Sequence, residues 1–179
     1  MSLTASRSLL ALAALGLLLS GCGLTQRVAD GTSSFAHGLF YKQVKVLHLD
    51  FSARTALNTD TRDMSALSVS TLLRVYQLRD RKALDKAAYQ DLLRDADGVL
   101  AEDLLDQQAV LVKPGEGAQF NVPLAAEAQF VAVVGLFRSP EAAQGNWRLV
   151  LAREELDPDL PRTLELGDSA LTLLPMQED

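Results

Sequence analysis

The sequence predicts a mainly β domain of antiparallel sheets, either a sandwich or a barrel, with one helical insert. Short apolar runs recur from Val44 onward with turn residues between them, which is typical of closely spaced strands. The hydrophobic period changes to three and four residues only once, between Lys82 and Leu105. With 179 residues, one such domain can bury a sizeable core.

Composition excludes several classes of protein. The chain is 48% hydrophobic and 22% charged, unlike a disordered or collagen-like chain. Its 23 acidic and 17 basic residues give a net charge of −6, and no Lys/Arg run could neutralise a nucleic-acid backbone. The single cysteine cannot form an internal disulfide. Because both histidines are far from it in sequence, a zinc site is not expected.

The first 21 residues have the pattern of a lipoprotein signal peptide. An apolar run from Leu9 to Leu19 is about half of the ~20 residues that span a bilayer. Leu19-Ser20-Gly21-Cys22 then forms a lipobox, in which the Cys22 thiol accepts a diacylglyceryl group. A plain secretory signal with an unrelated cysteine is the alternative. Gly23 stands where an Asp commonly retains enterobacterial lipoproteins in the inner membrane, which favours the outer membrane.

Three parts are therefore expected along the chain. Residues 1–21 form the signal peptide, residues 22–40 the lipidated N-terminus and a flexible tether, and residues 41–179 the β domain with its insert at 82–105. The tether lacks sustained periodicity, as linkers do. Acyl chains at Cys22 contribute roughly 0.8 kcal/mol per buried methylene, so two or three chains hold a protein durably to a membrane.

The first two predicted strands are separated by a polar loop. The first strand has apolar residues in two phases, which indicates a slip or bulge: Val44 and Val46, then Leu47, Leu49 and Phe51. The second has one apolar face with Leu67, Val69, Leu73 and Val75, and an opposite face with Ser68, Ser70, Arg74 and Tyr76. Asn58 to Ser65 contains neither Gly nor Pro and is too long for a tight turn, so it is predicted to project as a loop.

The helical insert is predicted from apolar residues at steps of three and four: Leu84, Ala88, Leu92, Ala96, Val99 and Leu100. A break is expected near Asp97-Gly98. This dipeptide resembles part of a calcium loop, but Leu93 would then occupy the first ligand position, so an EF-hand is excluded. The acidic residues of the insert are interpreted as a solvated helix face.

Six further strands follow the insert and bring the count to eight. Their apolar cores are Val110 to Val112, Phe120 to Leu124, Phe130 to Phe137, Trp147 to Leu151, Leu164 to Leu166 and Leu171 to Leu174. Phe130 to Phe137 is apolar on both faces, which predicts a central strand with the insert or another layer on its second side.

No set of catalytic residues is evident in the predicted domain. His48 is interpreted as a packed or edge residue and His37 as part of the tether. The acidic pairs Glu154-Glu155 and Asp157-Asp159 lie on a loop bounded by proline and are interpreted as solvated surface. Since acid, base and stabiliser are not found together, we expect a binding or structural protein without catalytic residues, metal or cofactor.

Several segments together resemble one family. They are Leu67-Ser68-Val69-Ser70-Thr71-Leu72-Leu73-Arg74-Val75-Tyr76-Gln77-Leu78, the acidic helical segment, Pro114-Gly115, Phe130-Val131-Ala132-Val133-Val134, Phe137-Arg138 and Trp147-Arg148. Their order and spacing, with the lipobox, resemble the TssJ (SciN) lipoproteins of bacterial type VI secretion systems.

The resemblance implies a transthyretin-like sandwich of two four-stranded sheets with a small helical addition, at the periplasmic face of the outer membrane. It implies a non-enzymatic role, in which the protein anchors the membrane complex by binding the C-terminal periplasmic region of the inner-membrane subunit TssM. The contact loop of the family corresponds here to Asn58, Thr59, Asp60, Thr61, Arg62, Asp63 and Met64, with Arg62 and Asp60 the leading candidates. The alternative is a periplasmic lipoprotein that binds a small ligand or an outer-membrane client in a sandwich cleft.

Overall fold

The computed structural model describes residues 43–59, 67–140 and 144–176. The chain divides into two compact units, Met1–Lys42 and Gln43–Asp179, and all described residues belong to the second. Cys22, with the predicted signal peptide and tether, and the loop residues from Asp60 to Met64 lie outside the described residues. Of the helices within the described ranges, none combines the length and apolar character needed to cross a membrane.

The described residues form eight strands and two α-helices, which confirms the predicted mainly β class. The strands are β1 (Val46–Ala53), β2 (Thr71–Leu78), β3 (Leu104–Val112), β4 (Gly117–Pro123), β5 (Phe130–Gly135), β6 (Arg148–Ala152), β7 (Arg162–Leu166) and β8 (Leu171–Leu173). The helices are α1 (Lys82–Lys86) and α2 (Tyr89–Leu100), and two 3₁₀ turns cover Ala101–Asp103 and Arg153–Glu155.

The strands form two four-stranded sheets, which resolves the choice between sandwich and barrel. One sheet has the order β4-β1-β7-β8 and the other β3-β2-β5-β6. The expectation of purely antiparallel sheets is wrong at one pair, because β1 runs parallel to β7. The two strands are far apart in sequence, so the chain has ample length for the crossover that a parallel pair requires.

The slip predicted in the first strand is not present. Leu47, Leu49, Phe51 and Ala53 are buried in a single phase, and β1 keeps a continuous register with β4 from Val46 to Ser52. Val44 is also buried, but it precedes the strand, which explains the second phase in the sequence. His48 lies on the outer face, where its Nδ1 is 2.6 Å from Oδ1 of Asn121 on β4.

The second strand begins later than the alternation predicts. It starts at Thr71, and Leu67, four residues earlier, is 63% exposed. Tyr76 lies on the face predicted to be polar, yet it is completely buried. The reason is the helical insert, which packs on that face: Arg74 Nη1, on the same face, donates a hydrogen bond to the Leu92 carbonyl of α2 at 2.9 Å.

The insert is helical as predicted, but its break and its end differ. The two helices separate at Ala87 and Ala88, whereas Gly98 lies inside α2. A second irregularity occurs at Asp95, whose φ of −152° and ψ of 74° are not helical. Leu104 and Leu105, assigned to the insert, are the first residues of β3. Leu84, Tyr89, Leu92 and Leu100 are buried against the sheet, so β5 is covered on its second side as predicted.

The connections between strands collect at two opposite ends of the sandwich. At the end that we call the loop end, four connections meet: residues 54–70, 113–116, 136–147 and 167–170. The described chain enters at the other end, where Gln43 leads into β1. Because an extended residue rises about 3.3 Å, the eight residues of β1 place the two ends roughly 25 Å apart.

Candidate partner-binding surface

The described ends of the β1–β2 connection meet at a closed base. The Val69 amide donates a hydrogen bond to the Leu57 carbonyl at 3.1 Å, which joins the outgoing and returning chain. Leu57 is fully buried, so this junction is part of the core. The two described ends of this connection are therefore held together by the domain.

Asn58 fixes the direction in which the loop leaves the domain. Its φ of 52° lies in the left-handed region, which Asn adopts more readily than most residues. The side chain is only 2% exposed, and its Oδ1 accepts a hydrogen bond from the Arg138 amide at 2.7 Å. Its own amide donates to the Asp168 carbonyl at 2.6 Å. One residue thus links the loop to both the β5–β6 connection and the β7–β8 turn.

Thr59 adds a second link to the same turn. Its amide donates to Oδ1 of Asp168 at 2.9 Å, and its hydroxyl donates to the same oxygen. A carboxylate that accepts two local donors is held in one orientation. The first two residues of the predicted contact loop are therefore part of a fixed platform, from which the remaining loop residues continue.

A polar cleft of about 330 Å³ lies beside this platform. It is lined by side chains of three connections and of β7 and β8, among them Arg54, Thr59, Ser139, Asn146, Glu165, Asp168 and Thr172. Arg54 donates from Nε and Nη2 to Oε1 of Glu165, at 2.9 and 2.7 Å. This ion pair neutralises one acid of the cleft, and Asp168 is the other charged group among the described lining residues.

A second cleft, of about 300 Å³, lies between α2 and the edge strand β3. Its charged lining residues are Arg74, Arg94, Asp95 and Asp97. Within the described ranges, no three His, Cys, Asp or Glu side chains are grouped as a metal site would require. His48 bonds to Asn121 on the outer face of β1, and Glu155 bonds to the amide of Ala152. Glu155 and His48 therefore have structural partners.

Of the seven predicted contact residues, the structure describes Asn58 and Thr59. Both belong to the base of the loop, and the burial of Asn58 gives its side chain a positioning role. Sequence reasoning missed Arg138 and Asp168, which hold that base, together with Arg54, Asn146 and Glu165 of the cleft. Gly167-Asp168 does carry a turn signal, but pairing a turn residue with a loop about 110 positions earlier needs the fold.

The fold and the loop end define a class of protein: a β-sandwich with a helical layer on one sheet and, at one end, a long β1–β2 connection with a closed base. The family model T6SS-SciN, described as "Type VI secretion lipoprotein, VasD, EvfM, TssJ", matches residues 45–169. The match covers most of the chain. The protein belongs to this family of type VI secretion lipoproteins, which confirms the resemblance seen in the sequence.

Solved structures agree with this assignment. A chain of a "Type VI membrane complex" is 40% identical over 74% of this chain and 100% of its own, with a TM-score of 0.70. A chain of the structure described as "T6SS protein TssM C-terminal domain (869-1107) from EAEC" is 38% identical over 74% and 99%, with a TM-score of 0.67. TssJ1 from Pseudomonas aeruginosa shares the fold at 23% identity over 75% and 98%, with a TM-score of 0.62. Among curated proteins, none matches this chain.

Proposed function

We propose that this protein is anchored by lipid at the periplasmic face of the outer membrane and binds the C-terminal periplasmic region of a TssM-like inner-membrane subunit. By doing so it assembles and anchors the membrane complex of a type VI secretion system. The observation that carries the proposal is the closed and pinned base of the β1–β2 loop, at the opposite end of the sandwich from the chain's entry. A fixed base presents a loop to a partner at low entropic cost.

The solved relatives support a TssM-like partner. The 38% identical chain is matched over 99% of its length by about 132 residues of this protein, which is 74% of 179. The TssM segment 869–1107 contains 239 residues, so a chain of that size does not fit the match. We infer that the matched chain is a companion of the TssM segment in that structure, and that this protein has a similar companion.

The direction of β1 supports different roles for the two ends of the sandwich, membrane attachment at one and partner binding at the other. The chain enters the domain at Gln43, after the predicted lipid anchor and tether, and β1 then runs to the loop end. The anchor thus joins one end and the loop leaves from the other. A partner from the opposite membrane can reach the loop end while the acyl chains of Cys22 hold the outer membrane.

The mechanism is tethering without turnover. Two partners confined to one narrow compartment meet at high effective concentration, so a moderate intrinsic affinity is sufficient for assembly. A catalytic step has no role in this mechanism. Within the described part of the chain, Glu154 and Glu155 lie in a 3₁₀ turn at the entry end, far from the loop.

The test is the affinity between the secreted chain carrying Cys22→Ser and the periplasmic C-terminal segment of the TssM-like subunit. Arg62→Ala and Asp60→Ala are expected to weaken binding about tenfold or more, because loop charges fix the partner's register. Arg94→Ala and Asp91→Ala are the matched controls, since both residues are exposed on α2. They are expected to bind like the parent protein.

Each other result has a definite meaning. Tight binding that is equal for loop and control variants would move the interface away from residues 58–64. No binding by the parent protein would contradict the proposal and favour the alternative lipoprotein that carries a small ligand or an outer-membrane client.

A further inference from the structure

The cleft beside the loop base contains acceptor oxygens that the described protein groups do not use. In the described residues, hydrogen bonds reach Asp168 at Oδ1 and Glu165 at Oε1, and the second oxygen of each carboxylate has no donor. Asn146 also lines the cleft, and its buried Oδ1 has no hydrogen-bond partner. Acceptor oxygens without a donor favour a ligand that supplies N–H groups.

We propose that this cleft receives a basic side chain, arginine or lysine, of the protein that binds the loop. The inference rests on the proposed function and adds a second contact to it. The ligand class follows from charge and chemistry: Arg54 is paired with Glu165, so the described part of the lining carries the unbalanced charge of Asp168. A guanidinium or ammonium group offers several donors and a positive charge, whereas an anion would meet a carboxylate.

The size of the cleft fits one long side chain. Its volume of about 330 Å³ is at the lower end of the ~300–1,000 Å³ typical of ligand pockets. Polar groups surround it, including the hydroxyl-bearing residues Ser139, Ser169 and Thr172. A lining of this polarity disfavours an apolar side chain.

The cleft and the loop share a structural element. Asp168 holds Thr59 through two hydrogen bonds and faces the cleft at the same time. Its carboxylate is therefore oriented before a partner arrives, which lowers the ordering cost of binding. A partner that fills the cleft also contacts the residue that holds the base of the loop, so the two contacts belong to one surface.

The experiment compares three single substitutions in the secreted Cys22→Ser chain, with the TssM-like periplasmic segment as the probe. Asp168→Asn and Glu165→Gln remove a cleft charge and keep an acceptor. Glu127→Gln is the matched control. Glu127 lies in the connection after β4, at the entry end, and like Glu165 it accepts a hydrogen bond from an arginine Nε, here that of Arg79. Thermal unfolding checks that each variant is folded.

Asp168→Asn is expected to weaken binding about tenfold or more, Glu165→Gln less, and Glu127→Gln by less than twofold. Each Arg and Lys of the partner is then replaced by alanine, and the affinity is measured for both the parent chain and the Asp168→Asn chain. One of these replacements should weaken binding to the parent chain but not to the Asp168→Asn chain.

Two outcomes would overturn the inference, and they are distinguishable. If Arg62→Ala weakens binding but the two cleft variants behave like Glu127→Gln, the cleft is not a contact while the proposed function stands. If the parent chain does not bind the segment, the proposed function fails and this inference fails with it. An Asp168→Asn chain that unfolds at a much lower temperature is replaced by Glu165→Gln, which leaves the contacts of Thr59 unchanged.

Discussion

Asn58 shows how a single residue holds the base of the β1–β2 connection. Asn58 combines a left-handed backbone with a buried acceptor for the Arg138 amide. Asn58→Gly keeps the backbone conformation and loses the acceptor, at about 1–3 kcal/mol. Asn58→Ala loses the acceptor and adds roughly 1–2 kcal/mol for a Cβ in this conformation. Urea unfolding should therefore give a lower free energy of unfolding for Asn58→Ala than for Asn58→Gly. Equal stabilities would contradict a strained turn at residue 58.

Two buried tyrosines provide a second comparison at the scale of residues. The Tyr89 hydroxyl donates to the Phe137 carbonyl at 2.7 Å, whereas the Tyr76 hydroxyl lies near Arg74 but has no partner in hydrogen-bond geometry among the described residues. Tyr89→Phe is expected to cost about 0.5–1.5 kcal/mol of unfolding free energy, and Tyr76→Phe to be neutral or stabilising, since it removes an unsatisfied buried group. Denaturant unfolding of both variants measures the difference. A larger loss for Tyr76→Phe would reveal a partner for that hydroxyl.

The same tyrosines predict how stability depends on pH. Burial raises the pKa of Tyr76 above its usual value of 10.0, although Arg74 opposes the shift, and burial also raises the pKa of Tyr89. Above pH 10 the unfolded chain loses these protons while the folded chain retains them. Stability is therefore complete below pH 10 and falls as pH rises beyond it. Tyr76→Phe should reduce this alkaline loss, and an unchanged pH profile would contradict the assignment.

Among the elements, the helical insert depends on one arginine of the sheet. The guanidinium of Arg148 donates to the carbonyls of Leu84, Asp85 and Ala87, at the end of α1, and lies 4.9 Å from the centre of the Trp147 ring. Helix ends leave carbonyls without intrahelical donors, and a cation there is favourable. This contact holds α1 to β6, and through α1 it holds the layer that covers β5.

Arg148→Met removes the charge and the donors but keeps much of the length. Hydrogen bonds from charged groups contribute about 1.5–3 kcal/mol, so amides of α1 and of the first turn of α2 should exchange roughly tenfold or more faster. Arg94→Met, on the exposed side of α2, is the control. Uniformly unchanged exchange would show that the apolar face of the insert is sufficient for docking.

The elements also show which signals the sequence contains. Alternation and turns identified all eight strands, because most of them bury one face. β3 was predicted six residues too short, since it is an edge strand whose exposed residues Gln107, Gln108 and Ala109 do not alternate in polarity. The parallel pairing of β1 with β7 leaves no local signal. The roles of Asn58 and Asp168 depend on contacts between distant turns, which periodicity does not record.

At the scale of the whole molecule, the entry end is as firmly held as the loop end. Arg153 donates to the carbonyls of Ala125, Ala126 and Ala128, and at 2.8 Å to that of Val44, just after the chain enters the domain. Gln77, buried on β2, bonds across to Pro123 and Ala125. Both sheets are thus joined where the described chain enters the domain.

This arrangement predicts separate effects of the anchor and of the loop. Cys22→Ser should leave the affinity for the TssM-like segment unchanged in solution, because residue 22 lies outside the domain of residues 43–179. In cells at native expression it should abolish assembly, since an untethered chain loses an effective concentration that is worth about 10²–10⁴ in avidity. Arg62→Ala should do the reverse: it should weaken the affinity in solution, while in cells the protein should remain at the membrane.

Fractionation and co-purification with the TssM-like subunit distinguish these outcomes. Overexpression of the Cys22→Ser chain should partly restore assembly, because a higher concentration compensates for the missing anchor, whereas overexpression of a lipidated Glu127→Gln control should change nothing. Full secretion activity by the Cys22→Ser chain at native expression would mean that the domain acts without its membrane attachment. The role of the sandwich would then be to bind its partner and not to connect two membranes.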